Sequence, residues 1–129
     1  MVTEQQIREI LRRWLDALNA KDWDAFDRLV DEAVTRDYVG HLPGAQDPVR
    51  GPEGVKQYFR GVIKALPNYR GTVEDVLAAG DNAAVRFTAR RTDPVTGKAQ
   101  RSTVVLISHL QSGKFAEDWE VAGPWEDEA

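Results

Sequence analysis

The chain has 129 residues, of which 42% are hydrophobic and 29% are charged. A chain of this length and balance is typical of one globular domain, so we expect residues 1–129 to form a single domain and not a disordered or fibrous segment. The 17 Lys and Arg residues against 21 Asp and Glu residues give a net charge of −4, which disfavours nucleic acid or an anionic membrane as a partner.

The chain has no cysteine and only two histidines, His41 and His109. This composition excludes disulfides, thiolate nucleophiles and cysteine-bound zinc, and it makes a histidine-rich metal site hard to build. Nucleotide-binding, zinc-hydrolase and serine-hydrolase motifs are also absent from the sequence, so we expect no metal and no cofactor. No apolar run is long enough to span a membrane and no signal-peptide pattern is present, which predicts a cytoplasmic protein.

Hydrophobic spacing predicts three amphipathic helices in the first half of the chain. Thr3 and Gln6 form a capping-box pattern at the start of the first helix, which we predict over 3–19. Asp22 is placed to cap a second helix, and Pro52 falls in the first turn of a third.

Beyond residue 70 the hydrophobic period changes to that of β-strands. Four segments, near 70–79, 83–92, 100–110 and 114–122, are rich in β-branched and aromatic residues and are separated by turn residues. The short connections predict antiparallel pairing. We therefore predict an α+β fold in which three N-terminal helices pack against a curved antiparallel sheet and form a cone-shaped pocket for a hydrophobic small molecule.

Several short motifs in the chain resemble one family of proteins. They are His41-x-Pro43, Gly51-x-x-Gly54, Gly80-Asp81 before an Arg-x-Thr strand, and Glu117-x-Trp119 after a Gly-Lys turn. From about residue 7 to residue 121 the chain resembles the SnoaL-like polyketide cyclases of the nuclear transport factor two-like superfamily. The resemblance implies a fold that is shared by cyclases, isomerases, hydrolases and proteins without catalytic activity.

Three side chains are candidate catalytic proton carriers: Glu117, His41 and His109. Period-two alternation places Glu117 on an apolar face with Phe115 and Trp119, where burial would raise its pKa; a structural glutamate paired with an arginine is the alternative. His41 lies in an irregular segment before the third helix, from which a loop can direct its imidazole into a pocket. His109 lies on a strand with apolar residues on both faces, and a core or interface position is its alternative.

Six side chains are candidates for binding a substrate. The tyrosines can place a hydroxyl in a pocket and pack their rings in the core, and for the aromatic residues as a group plain packing is the alternative. Arg86 can hold an oxyanion, or it can lie on the outer face of the sheet, which alternation favours. The six are Tyr38, Tyr58, Phe59, Arg86, Trp119 and Trp14.

Three functions fit these features. The first, which we favour, is cofactor-independent acid/base chemistry of the aldol-cyclisation or isomerisation type on a polyketide- or steroid-like substrate, with a hydrolase- or lyase-type reaction also open. The second is non-catalytic binding of a small molecule, because the acid that commonly follows the family's Glu-x-Trp pattern is Gly123 here. The third is an interaction module that forms a homodimer, or a complex with a different protein, through the outer sheet face with Arg86, Thr88 and Arg90.

Overall fold

The computed structural model describes residues 2–128, which form three α-helices and seven β-strands. The helices are α1 (Glu4–Ala20), α2 (Trp23–Ala33) and α3 (Gly51–Ala65), and the strands are β1 (Val34–His41), β2 (Val49–Arg50), β3 (Arg70–Ala79), β4 (Asn82–Thr92), β5 (Ala99–Gln111), β6 (Lys114–Ala122) and β7 (Glu126–Asp127). Within this range no helix is both long enough and apolar enough to cross a membrane.

The first two helices begin where the sequence predicts. The Thr3 hydroxyl accepts a hydrogen bond from the Gln6 N–H at 3.1 Å, and the Gln6 side chain accepts one from the Thr3 N–H at 2.9 Å, which completes the capping box. Asp22 caps α2 by accepting a hydrogen bond from the Ala25 N–H at 3.1 Å. The predicted caps of α1 and α2 are therefore confirmed.

The strands form one mixed sheet in the order β2-β1-β6-β5-β4-β3, with β7 paired to β5. The α+β class, the four predicted strands and their antiparallel pairing are confirmed, and one further, parallel pair makes the sheet mixed. The sequence predicts no strand over β1 and places its last residue, His41, in an irregular segment, whereas β1 pairs in parallel with β6. Its polar run Thr35-Arg36-Asp37 lacks the alternation that marks a strand, so its place in the sheet depends on its partner.

β6 contains one residue more than β5 at the point where the two strands pair. Leu110 pairs with Phe115 and His109 pairs with Glu117, so Ala116 has no partner in β5. Because side chains alternate between the faces of a strand, this β-bulge reverses the faces for the rest of β6. Phe115 faces the helices, and beyond the bulge it is the even-numbered residues of β6 that face them.

Aromatic side chains hold the helices together over the inner face of the sheet. Phe26 is completely buried, and its ring lies edge-on to Trp14 at 5.0 Å, to Trp23 at 5.6 Å and to Phe59 at 5.7 Å. Each such pair contributes about 0.5–1.5 kcal/mol to stability beyond the contribution of the apolar area that it buries. Since these rings come from all three helices, the cluster joins the helices into one layer.

Candidate active site

A cavity of about 230 Å³ lies between the helices and the inner face of the sheet. Water occupies ~30 Å³ per molecule in the liquid, so the space suits a small organic ligand. Most of the wall is apolar, and its polar members are Tyr38, Tyr58, Tyr69, Ser102, Asp118 and Glu120. None of the described residues that line the cavity is a lysine, an arginine or a histidine.

The cavity opens toward the C-terminal end of β6. Along that strand the inward side chains become steadily more exposed, from Phe115 at 4% and Asp118 at 9% to the partly buried Glu120 and the exposed Ala122. Trp125 lies beyond the end of β6 and also lines the cavity. A ligand that enters beside Trp125 therefore meets Glu120 before it reaches Asp118.

Asp118 is buried and accepts two hydrogen bonds from hydroxyl groups. The Tyr38 hydroxyl donates to Oδ2 at 2.6 Å, and the Ser108 hydroxyl donates to Oδ1 at 2.5 Å. Burial raises the pKa of the Asp118 carboxyl above its ordinary value, and these two donors partly offset that rise. Because the three residues come from β1, β5 and β6, the network also joins three neighbouring strands.

Gly40 makes room for the Tyr38 side chain to reach Asp118. Gly40 is paired with Asp118 in the β1–β6 register, and the Tyr38 ring lies across it. A Cβ atom at Gly40 would lie 2.6 Å from the Tyr38 hydroxyl oxygen and 2.8 Å from the ring. Any larger residue there must displace the ring, so the hydrogen bond between Tyr38 and Asp118 depends on glycine.

Glu120 differs from Asp118 because no residue in the range 2–128 forms a hydrogen bond with its carboxyl group. Burial, and secondly the negative charge of Asp118, raise its pKa to about 7. Both the protonated and the ionised forms are therefore populated near neutral pH. A cavity-lining acid with such a pKa is a candidate for proton transfer.

Two further tyrosines face the cavity near Glu120. The Tyr58 hydroxyl donates to the carbonyl oxygen of Pro43 at 2.7 Å. The Tyr69 hydroxyl has no hydrogen-bond partner within the described part of the chain. Burial and the nearby Glu120 carboxylate raise the pKa of both phenols, so both remain protonated donors at neutral pH.

Four of the side chains singled out from the sequence line this cavity. Tyr38 and Tyr58 contribute hydroxyl groups that are already engaged in hydrogen bonds, while Phe59 and Trp14 contribute apolar wall. The rings of Trp14 and Phe59 also contact each other at 5.4 Å, so both residues pack in the core and line the cavity at once.

The other five predicted site residues lie on the opposite, outer face of the sheet. His109 pairs with Glu117 across β5 and β6, and His41 pairs with Trp119 across β1 and β6. The prediction that Glu117 and Trp119 face the pocket is wrong because the bulge at Ala116 turns them outward. His41 is turned outward because it belongs to β1 and follows Gly40, which is on the inner face with Tyr38, and neighbouring residues of a strand face opposite sides.

These outward residues contact one another on the outer face. His41 Nε2 lies 2.9 Å from Glu117 Oε2, and the His41 ring stacks on Trp119 with ring centroids 5.5 Å apart. Arg86 is also exposed there and forms an ion pair with Asp75 at 2.6 Å, as its alternative interpretation expects. None of them contributes to the cavity wall.

Sequence reasoning missed Asp118, Glu120 and Tyr69. The bulge that turns the two acids inward leaves no periodic signal, because both faces of β5 carry branched apolar residues such as Val104 and Val105. Tyr69 follows α3 in a short turn that has no amphipathic pattern. Among the described residues no group of three or more His, Asp or Glu side chains is arranged to hold a metal ion.

Three helices packed on a curved mixed sheet around an apolar cavity with buried acids define a small-molecule pocket protein. The sequence pattern of the SnoaL-like domain matches residues 11–118. The chain therefore belongs to the SnoaL-like domain family. No functionally curated protein matches it at a significant level.

Solved structures share this fold over most of their length. IdmH from Streptomyces antibioticus, provisionally assigned as a polyketide cyclase, is 25% identical with a TM-score of 0.73, and the match covers 89% of this chain and 90% of IdmH. A provisionally assigned SnoaL-like polyketide cyclase from Jannaschia sp. CCS1 is 20% identical with a TM-score of 0.74, covering 92% and 86%. A provisionally assigned ketosteroid isomerase from Kribbella flavida is 20% identical with a TM-score of 0.68, covering 98% and 84%. The last two show the fold alone.

The close approach at Gly40 generates a stability prediction. Gly40→Ala is expected to displace the Tyr38 ring and lower the free energy of unfolding by about 1–3 kcal/mol, as overpacking does. Gly61→Ala is the matched control, since a Cβ at Gly61 in α3 meets nothing within 4 Å. This control should raise stability by up to about 1 kcal/mol, because alanine is the better helix former. Urea unfolding checks both, and equal effects would contradict the close approach.

The raised pKa of Glu120 predicts how stability changes with pH. The folded-state pKa of about 7 lies above the ordinary value of 4.5, so between these pH values the folded chain binds more protons at Glu120 than the unfolded chain. This contribution is full below about pH 4.5 and is lost as the pH rises through about 7. Glu120→Gln should therefore gain stability relative to the parent between pH ~5 and ~8, while Glu117→Gln should follow the parent. If the free energy of unfolding changed with pH in the same way for Glu120→Gln and the parent, the raised pKa of Glu120 would be disproved.

Proposed function

We propose that this chain catalyses proton transfer at a carbon atom next to a carbonyl group in a hydrophobic small molecule, with Glu120 as the general base and acid. The observation that carries the proposal is Glu120 itself. Its carboxyl group lines the cavity, has a pKa of about 7 and forms no hydrogen bond within residues 2–128. A group of this pKa both accepts a proton and returns it at neutral pH.

The proposed step breaks one C–H bond and needs no cofactor. The Glu120 carboxylate takes the proton, and the electron pair of the C–H bond becomes the enolate. In an aldol cyclisation the enolate carbon attacks a second carbonyl of the same substrate, and protonated Glu120 gives its proton to the alkoxide that results. In an isomerisation Glu120 returns the proton to a different carbon. IdmH, which shares this fold, is provisionally assigned as a polyketide cyclase, and a polyketide- or steroid-like substrate fits either reaction.

Non-catalytic binding in the same cavity is the competing proposal. It is favoured by Gly123, which stands where the family commonly has an acid. The backbone of Gly123 forms two hydrogen bonds with β5: its N–H donates to the Thr103 carbonyl oxygen at 2.9 Å, and its carbonyl oxygen accepts from the Ser102 hydroxyl at 2.7 Å. On this proposal the parent protein binds ketones and exchanges none of their protons.

Hydrogen–deuterium exchange distinguishes catalysed proton transfer from non-catalytic binding. In heavy water the parent is expected to exchange the protons next to the carbonyl of the two-ring ketone 1-tetralone, followed by NMR. Glu120→Gln should lower this rate by about 10²-fold or more, the usual contribution of a general base. Glu117→Gln, on the same strand but the outer face, should stay within about twofold of the parent.

The pH dependence provides a second check on the same proton carrier. The catalysed exchange rate, after subtraction of the uncatalysed rate, should rise with pH through about 7 and then level off, because the ionised form of Glu120 is the base. Exchange by Glu120→Gln at the parent rate would contradict the proposal, and binding of the ketone without exchange by the parent would favour the non-catalytic alternative.

We also propose that the outer face of the sheet joins two copies of the chain in a homodimer. Strand register places an exposed row of side chains across this face. The row consists of Leu77, Ala84, Ile107, Trp119 and His41, with Val105 and Val121 beside it. The large apolar members are between 43% and 71% exposed. Monomeric proteins seldom leave so continuous an apolar surface in water.

A charge placed at the centre of this face should prevent dimerisation. The parent is expected to have twice its 14.5 kDa chain mass in solution, and Ile107→Lys should be monomeric because a lysine would be buried without a partner. Val95→Lys is the control, since Val95 is 89% exposed in the β4–β5 loop. Light scattering gives the molar mass of the parent and of both variants. A monomeric parent would contradict the proposal.

A further inference from the structure

The hydroxyl groups of the cavity wall are not equally available to a ligand. Three of the four are already donating: Tyr38 to Asp118 at 2.6 Å, Tyr58 to Pro43 at 2.7 Å, and Ser102 to Gly123 at 2.7 Å. Only the Tyr69 hydroxyl has no acceptor within residues 2–128. Tyr69 is partly buried. Its hydroxyl is therefore the one of the four that can donate to a ligand without first breaking a hydrogen bond among the described residues.

The charges of the wall limit what the acceptor on that ligand can be. Asp118 and Glu120 both line the cavity, and no cationic side chain among the described residues accompanies them there. A ligand carboxylate or phosphate would be placed in an apolar space close to two acids, without a positive charge to stabilise it. The acceptor is therefore expected to be the oxygen of a neutral group.

The same count of donors limits how many oxygens a ligand can carry. Away from Tyr69 and Glu120 the wall is made mostly of aliphatic and aromatic side chains. An additional ligand oxygen placed against the aliphatic side chains would lose its hydrogen bonds to water and gain none in return. Most of the rest of the ligand is thus expected to be hydrocarbon.

We infer that the cavity binds a neutral, largely hydrocarbon ketone or aldehyde, and that a carbonyl oxygen of this ligand accepts a hydrogen bond from Tyr69. This inference rests on the proposed function, because it takes the cavity with Glu120 as the reacting site, and it deepens that function by naming the substrate class and a second catalytic residue. Tyr69 polarises the carbonyl and stabilises the negative charge that develops on its oxygen when Glu120 removes the neighbouring proton.

Binding measurements with small two-ring probes test this inference apart from turnover. Titration calorimetry uses four compounds: 1-tetralone with one ketone, tetralin with no oxygen, 4-hydroxy-1-tetralone with a second oxygen, and tetralin-1-carboxylate with a negative charge. The parent is expected to bind 1-tetralone about tenfold more tightly than the carboxylate, and more tightly than the hydroxyketone.

Variants of two neighbouring tyrosines assign the preference to one hydroxyl. Tyr69→Phe should weaken 1-tetralone binding about tenfold, the value of one good hydrogen bond, and leave tetralin within about twofold, which also shows that the cavity remains folded. Tyr58→Phe removes a hydroxyl that already donates to Pro43. It should therefore change the binding of 1-tetralone and of tetralin by the same factor.

Three results would overturn the inference: tetralin-1-carboxylate binding as tightly as the ketone, Tyr69→Phe weakening both probes equally or neither, or no binding of 1-tetralone at millimolar concentration. Failure of the proposed function is a different result. In that case 1-tetralone binds with the expected dependence on Tyr69, yet the parent exchanges none of its protons. Conversely, exchange that depends on Glu120 but not on Tyr69 would remove Tyr69 and keep the proposed function.

Discussion

The bulge at Ala116 determines which side chains of β6 the cavity contains. With it, Phe115 and the acids Asp118 and Glu120 all face the helices; an unbroken strand would place Glu117 and Trp119 there instead. The bulge thus exchanges one acid and an indole for two acids in an apolar space. Burial of carboxyl groups is unfavourable unless donors surround them, so the cost of this arrangement depends on the partners that each acid finds.

The two acids find different partners, and their chemistry differs for that reason. They are two residues apart on one face of the strand, which separates them by about 7 Å. Asp118 lies deeper and is held by the hydroxyls of Tyr38 and Ser108. Glu120 lies nearer the mouth without such donors, and the charge of Asp118 raises its pKa further. Asp118 therefore stabilises the sheet and raises the pKa of Glu120, while the carboxyl group of Glu120 stays free to contact a ligand.

The sequence predicted what depends on neighbours along the chain. The capping residues Thr3 and Asp22 are local, as are the helical spacing and the hairpin turns, so the helices and four strands were predictable. The parallel pairing of β1 and the bulge at Ala116 depend on partners distant in sequence, and their hydrophobic patterns fit either face. The aromatic wall could therefore be predicted, with Trp14 and Phe59 in it, whereas the acid in the cavity could not.

One extra residue consequently links the two faces of the sheet. The change of face that turns Glu120 inward also turns Trp119 and Val121 outward, where they extend an apolar row that begins at Leu77. Neither change can occur without the other, because alternation leaves each side chain of a strand only one of two faces. A deletion of Ala116 that kept the pairing of β5 and β6 would take both acids from the cavity and the indole from the outer face. The proposed proton transfer within one chain and the proposed association between two chains therefore depend on the same local feature of β6.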